Sequence, residues 1–258
     1  MKVTVCQLPN DLASQSAAFD GLVTHVREAG SDLVLLPEMP FSLWFFSHRP
    51  DERSRRDVWH DIEGAHDAGI VRLAMLAPAI VAATRPVTRY DKSLNEGFIW
   101  STVSGYQPVH QKYYLPEEDG FWEASWYARG DGAFEPIAVN DACMGFMICS
   151  ELWFFERARV YGRAGVNILL TPRCTEAGSV DKWVMGGRAA AVSAGAYSLS
   201  SNRSGRDNKN AYGGSGWVIS PDGDVLGVTS EEMPYLTVYV DLEAARQAKH
   251  TYPRYIEE

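Results

Sequence analysis

Two short runs, Leu33-Val34-Leu35-Leu36 and Val166-Asn167-Ile168-Leu169-Leu170, are almost continuously apolar, and a proline stops each of them, Pro37 and Pro172. A strand that does not alternate apolar with polar residues is buried on both faces, so other elements must cover both sides of its sheet. The covering elements are visible nearby. Ala18, Phe19, Leu22, Val23 and Val26 recur at helical spacing before the first run, and a second helical stretch at about 182–194 follows the other run. Helices alternating with strands predict a mixed α/β domain.

The remaining elements fit that plan. Residues 2–8 read as a first strand, 63–76 as a helix with Ile70, Leu73, Ala74 and Leu76 on one face, and 79–83 as a strand. Residues 96–103 and 106–114 flank Ser104-Gly105 as a hairpin. A buried strand at 144–148 runs into a helix at about 152–163 closed by Gly165, and a strand lies at 197–201. A last hairpin, 217–219 and 225–227, turns at Pro221-Asp222-Gly223. Neither a repeat nor a long linker divides the chain, so 1–258 is expected to form one domain.

Composition narrows the partners. With 46% hydrophobic and 12% aromatic residues the chain can bury a substantial core. Its formal charge, 24 − 33 = −9, with no compensating basic run, argues against nucleic acid and anionic membranes as partners. The chain has no apolar stretch of the roughly eighteen residues a membrane span needs, and Met1 to Gln7 is too short for a signal peptide's apolar region. A cytoplasmic location is expected. The cysteines Cys6, Cys143, Cys149 and Cys174 contain no CxxC pair. On one extended strand Cys143 and Cys149 would stand about 20 Å apart, which predicts free thiols in a reducing compartment.

Three polar residues stand where buried strands end: Glu38 after Leu35-Leu36-Pro37, Lys112 before Tyr113-Tyr114-Leu115-Pro116, and Cys149 after Gly145-Phe146-Met147-Ile148. Loops at such places carry reactive groups in α/β proteins. Singly each has an ordinary reading: a small core cysteine, a carboxylate near a helix start, a solvated lysine. Together they are complementary. A carboxylate can take a thiol's proton, a helix start favours the thiolate, and a fixed cation can hold the charge that develops when sulfur attacks an amide or nitrile carbon.

With these three motifs, and with Gly165 to Pro172 and Gly214-Ser215-Gly216, nearly the whole chain resembles the nitrilase superfamily, or carbon-nitrogen hydrolases. The resemblance implies a single-domain α-β-β-α sandwich and a Glu-Lys-Cys triad with no cofactor. Glu38 would be the general base, Lys112 the oxyanion stabiliser and Cys149 the nucleophile, with the backbone N–H of Ser150 completing the oxyanion hole. The stretch from Phe121 through Trp122, Trp126 and Tyr127 to Gly130-Asp131 matches the family's second glutamate motif at Glu123. Glu117 and Glu118 are the rivals, reading as solvated loop charges. The resemblance also implies a homodimer or higher homo-oligomer, packed partly through the helices after Cys149 and Arg173.

Enzymes of the superfamily that cleave N-carbamoyl-D-amino acids carry arginines just after the cysteine motif, where this chain has Leu152, Trp153 and Phe154. That counts against an α-carboxylate substrate and leaves Arg173 as the candidate anion binder. Trp44, in the loop 41–46, and Trp122, Trp153 and Trp183 are further candidates to line a substrate pocket, although aromatic clusters more often form core. The six histidines lack metal-ligand spacing, and the glycines at 213–216 lack the Lys-Ser/Thr pair of a phosphate-binding loop. The expected activity is hydrolysis of a small-molecule amide or N-carbamoyl compound. The alternatives are a nitrilase using the same triad and a catalytically silent binding protein on the same scaffold.

Overall fold

The computed structural model describes residues 1–51 and 53–256. Strand β1 (Lys2–Pro9) leads into α1 (Leu12–Ala29) and β2 (Leu33–Leu35). Helix α2 (Arg55–Arg72) ends in a 3₁₀ turn at Leu73–Leu76, followed by β3 (Ile80–Arg89), β4 (Lys92–Ser101) and β5 (Gly105–Gln111). The short α3 (Glu123–Trp126) precedes β6 (Ile137–Val139) and β7 (Ala142–Phe146). After a 3₁₀ turn at Cys149–Trp153 come α4 (Phe155–Arg163), β8 (Ile168–Pro172), α5 (Val180–Ala194) and β9 (Tyr197–Arg206). Strands β10 (Ala211–Gly213), β11 (Trp217–Ile219), β12 (Val225–Val228) and β13 (Tyr235–Tyr239) precede α6 (Leu242–Ala248).

The strands run in the order β5-β4-β3-β2-β1-β9-β8-β7-β6. Strand β1 joins two halves: Val3–Val5 pair in parallel with Leu33–Leu35, and Gln7–Pro9 pair in parallel with Asn202–Ser204. Alternation along each strand then sorts the side chains into layers. Val3, Val5, Leu33 and Leu35 face Met144, Phe146, Ile168 and Leu170 between the two half-sheets. Cys6, Val34, Leu36 and Val81 point the other way, onto Phe19, Leu22, Val23 and Val26 of α1. On the far side Leu169, Trp217 and Ile219 pack against Tyr161 of α4 and Ala190, Ala191 and Ala194 of α5. Helix, sheet, sheet, helix is therefore the layer order, as expected.

The boundaries differ in instructive ways. Helix α2 starts at Arg55 rather than 63: Trp59 and Ile62 already fall in helical step with the buried His66 and Gly69, a periodicity masked in the sequence by the charged residues around them. Strand β3 runs to Arg89 rather than stopping near 83, since its polar second half is held by antiparallel pairing with β4. The helix expected at 152–163 begins at Phe155, and the chain from Cys149 to Trp153 is a separate tight turn. Strands β6, β10 and β13 and helices α3 and α6 are not among the elements expected from sequence; β6, β10 and α3 are only three or four residues long. The four cysteines are unbridged, and no helix among the described residues is long and apolar enough to cross a membrane.

Candidate active site

Strands β2, β5, β7 and β8 all run in one direction, and Glu38, Lys112, Cys149 and Arg173 lie at or just beyond their carboxyl ends. In such sheets that end is where loops converge. Glu38, Lys112 and Glu123 are fully buried, and Cys149 is 4% exposed. Lys112 Nζ donates to Glu38 Oε1 at 2.8 Å and to Glu123 Oε2 at 2.6 Å. Asn95 Nδ2 also donates to Glu38 Oε1 at 2.8 Å, and the Tyr127 hydroxyl donates to Glu123 Oε2. Each carboxylate thus gives one oxygen to the ammonium, while Glu38 Oε2 and Glu123 Oε1 are buried without a protein partner.

Burial would push the Lys112 ammonium down, but the carboxylates of Glu123 and Glu38 outweigh it and hold the lysine well above its usual value. For Glu123 burial wins: its carboxyl is raised although Lys112 pulls the other way. Burial, reinforced by the Glu38 carboxylate, pushes the Cys149 thiol up against the pull of Lys112. A thiol raised in this way is a poor nucleophile unless a neighbouring base takes its proton.

The backbone around these groups is strained and heavily bonded. Met39 and Cys149 adopt positive φ of 46° and 50°, a conformation side-chain-bearing residues rarely take outside constrained sites. Arg203, fully buried, donates from its guanidinium to the carbonyls of Glu38, Met39 and Ser42 and to Asn10 Oδ1, which bolts the Glu38 loop in place. A Cβ added to Gly130 would lie 2.4 Å from the Gln111 carbonyl, and Gly130 N–H donates to Lys112 O, so only glycine lets this loop press against the end of β5.

A cavity of about 290 Å³ opens over Cys149, lined also by Pro116, Glu118, Phe121, Glu123, Ser150, Trp153, Cys174, Thr175, Glu176, Ser179 and Trp183. A larger depression beside α2, lined by Arg55, Arg56, Trp59 and His60, contains no nucleophile with a buried base. Of the expected pocket residues, Trp153 and Trp183 line the cavity; Trp44, Trp122 and Arg173 do not. Trp44 is core, 3% exposed and packed edge-on to Phe46, because the loop 41–46 folds inward onto Trp59, Trp126 and Tyr127. Trp122 stacks beneath the Arg49 guanidinium at 4.1 Å. Arg173 is fully buried and its donors are taken by Ser200 Oγ, Thr175 Oγ1 and the Ser215 carbonyl, with Trp217 4.1 Å below, so it is a structural cation rather than a carboxylate clamp.

Ser150 lines the cavity while its hydroxyl donates to the Tyr114 carbonyl at 2.5 Å. Glu117 is exposed and accepts from Ser125, as a loop charge should, whereas Glu118 reaches the cavity rim. Asn95, Tyr127, Arg203 and Glu151 were not singled out by sequence reasoning. Asn95 had a readable signal: a lone amide inside the apolar strand Leu94-Asn95-Glu96-Gly97-Phe98-Ile99 must find a buried partner.

Comparison with known proteins bears on the family and the fold. The carbon-nitrogen hydrolase family profile matches residues 2–250. N-carbamoylputrescine amidase from Solanum tuberosum is 22% identical over 93% of this chain and 85% of its own length. A carbon-nitrogen hydrolase from Helicobacter pylori G27 superposes with a TM-score of 0.86 at 20% identity, covering 99% of this chain and 94% of that one. A mutant of the amidase from Nesterenkonia sp. AN1, showing covalent addition of the acetamide moiety of fluoroacetamide at its active site cysteine, gives 0.78 at 18% identity, covering 96% and 92%. With a profile match over almost its full length and this layered fold, the chain belongs to the carbon-nitrogen hydrolase family.

Proposed function

We propose that the chain hydrolyses the carbon-nitrogen bond of a small amide or N-carbamoyl compound through a thioester on Cys149. The observation that carries this reading is Lys112 held between Glu38 and Glu123 beside a cavity lined by Cys149. Glu38 Oε2, buried without a partner, takes the thiol proton as sulfur attacks the carbonyl carbon. Lys112 and the Ser150 N–H hold the oxyanion. The intermediate collapses, the carbon-nitrogen bond breaks, and the proton on Glu38 passes to the leaving nitrogen. Glu38 then draws a proton from water, whose oxygen attacks the thioester; the acid leaves and the thiol is restored. Glu123 holds Lys112 and offers its open Oε1 to the substrate N–H.

Two of the proteins compared above support the chemistry: the Nesterenkonia amidase is modified at a cysteine, and the Solanum tuberosum relative is named for a carbamoyl substrate. The cavity supports a narrower substrate class. Its rim carries Glu118 and Glu176, its walls are Phe121, Trp153 and Trp183, and no arginine or lysine appears among its lining residues. Such a mouth favours neutral or cationic tails over carboxylates.

Product release across a panel tests both levels. Carbamoyl compounds and amides with ammonium or uncharged tails should turn over with kcat/KM at least about tenfold above matched carboxylate-tailed compounds, a difference of about 1.4 kcal/mol. Equal or better turnover of the carboxylates would remove the substrate assignment, and turnover of nitriles alone would favour the nitrilase alternative. Within the site, Glu123→Ala should lower kcat by about 10² or more, and Glu117→Ala and Glu118→Ala by less than about tenfold. Equal losses at Glu118 and Glu123 would move the second carboxylate's role out of the buried cluster.

A further inference from the structure

A second buried ionic group lies behind the site. Glu151 sits two residues after Cys149, and the side chains of Glu151 and His110 are both fully buried. Glu151 Oε1 accepts the Tyr113 N–H at 2.7 Å. Its Oε2 accepts the Ile148 N–H at 2.8 Å and lies 2.8 Å from His110 Nε2. His110 Nδ1 lies 3.0 Å from the Ala133 carbonyl. A carbonyl can only accept, so Nδ1 carries a hydrogen; both Glu151 oxygens already accept backbone N–H groups, which makes Nε2 the donor of its contact with Oε2, so it carries one too. Burial by itself pushes His110 down, but the Glu151 carboxylate, its hydrogen bond, the Ala133 carbonyl and Asp131 together raise it. Around the pair stand the Phe134 ring, 4.7 Å from the imidazole, the Arg157 guanidinium 4.8 Å over that ring, and Tyr161, whose hydroxyl donates to the Phe146 carbonyl.

The register of these contacts is what gives them a use. His110 and Tyr113 flank Lys112 in the chain, and Ile148 immediately precedes Cys149, so one carboxylate grips both sides of the lysine and the entry to the nucleophile turn. We propose that the His110–Glu151 pair is a positioning device, an imidazolium–carboxylate latch that sets the spacing between the Lys112 ammonium and the Cys149–Ser150 turn. The inference rests on the oxyanion role proposed for Lys112. A side chain that touches neither substrate nor sulfur then controls how closely the two halves of the oxyanion cradle approach. A misplacement of about 1 Å at such a point can cost about 10²-fold in rate.

The test uses the whole protein. His110→Phe and Glu151→Gln are compared with wild type by kcat per folded molecule, the folded fraction being fixed by circular dichroism melts and size-exclusion of the assayed sample. Counting folded molecules removes the effect of a smaller folded fraction, which a merely structural role would produce. The latch predicts a fall of about 10²-fold in kcat per folded molecule in each variant, KM within about threefold, and a double variant no worse than the poorer single. Unchanged kcat per folded molecule, or losses that multiply in the double variant, would overturn it. If Lys112→Met itself stays active, the functional reading fails, whatever the latch variants do; if Lys112→Met is dead and the latch variants are normal, only the latch fails. Should neither latch variant fold, ¹⁵N NMR of histidine-labelled wild type at pH 8 decides: His110 should show both ring nitrogens protonated, and a neutral ring would overturn the ion pair.

Discussion

Cys149→Ala should abolish turnover, by about 10⁴-fold or more in kcat, and leave the melting temperature nearly unchanged. The activity loss follows from chemistry, because the other groups lining the cavity are poorly placed to replace the thiol. The Ser150 hydroxyl is bonded to the Tyr114 carbonyl, and burial holds the Cys174 thiol well above its usual value. The small stability change follows from shape. Alanine loses one buried sulfur, about 1 kcal/mol or less, and inherits the same positive φ. Cys149→Gly sharpens the point: it should be as inactive as alanine yet more stable by up to about 1 kcal/mol, since glycine relieves the left-handed strain. Cys143→Ala is the control, at a position on β7 outside the cavity lining. A Cys149→Ala protein with a few per cent of wild-type turnover and an unaltered melt would take the cysteine out of the mechanism.

Lys112→Met should be damaged twice over. Losing one oxyanion donor costs about 10²- to 10³-fold in rate. The fold also suffers, because two buried carboxylates that shared the ammonium are left facing each other, and removing one partner of a buried ion pair typically costs about 3–5 kcal/mol. The two effects part company with pH. Without the cation, Glu123, already raised by burial, rises further and takes a proton more readily when folded than when unfolded. Between the unfolded glutamate value of about 4.3 and that raised value the folded state binds more protons, so stability increases as pH falls. The variant should therefore regain part of its lost melting temperature between pH 8 and pH 5 relative to wild type, while its activity stays low. A stability deficit independent of pH would mean that the two carboxylates do not depend on Lys112 for their charge.

How much of this was legible in the sequence depended on the range of the interaction. Glu38, Lys112 and Cys149 stand out because a proline or an apolar run marks the end of each strand, and such signals are local. Arg173 was read as an anion binder because it follows the same kind of strand end. Its true partners, Ser200, Thr175 and Ser215, come mostly from distant segments brought alongside by β9, which no local pattern announces. Trp44 and Trp122 failed for a related reason: an aromatic residue in a loop gives no sign of whether the loop folds inward. Glu123 was chosen over Glu117 and Glu118 by its match to the family's second-glutamate motif and by its aromatic neighbours, and its carboxylate lies against Lys112 in a fully buried setting. The helix expected from about 152 begins only at Phe155, because the chain before it is held in a tight turn whose backbone conformation at Cys149 is imposed by surrounding contacts rather than by propensity.

The pairing of β1 also bears on how the molecule comes into being. Its residues Lys2–Cys6 are zipped on one edge to Tyr239–Tyr235 of β13, and its end, Gln7–Pro9, pairs with β9. A ribosome delivers β1 more than two hundred residues before β13. Until β13 emerges one edge of the central strand has unfilled backbone donors and acceptors, the kind of edge that recruits foreign strands. A stalled or prematurely terminated product lacking residues 235–239 would be expected to aggregate rather than persist as an inert fragment.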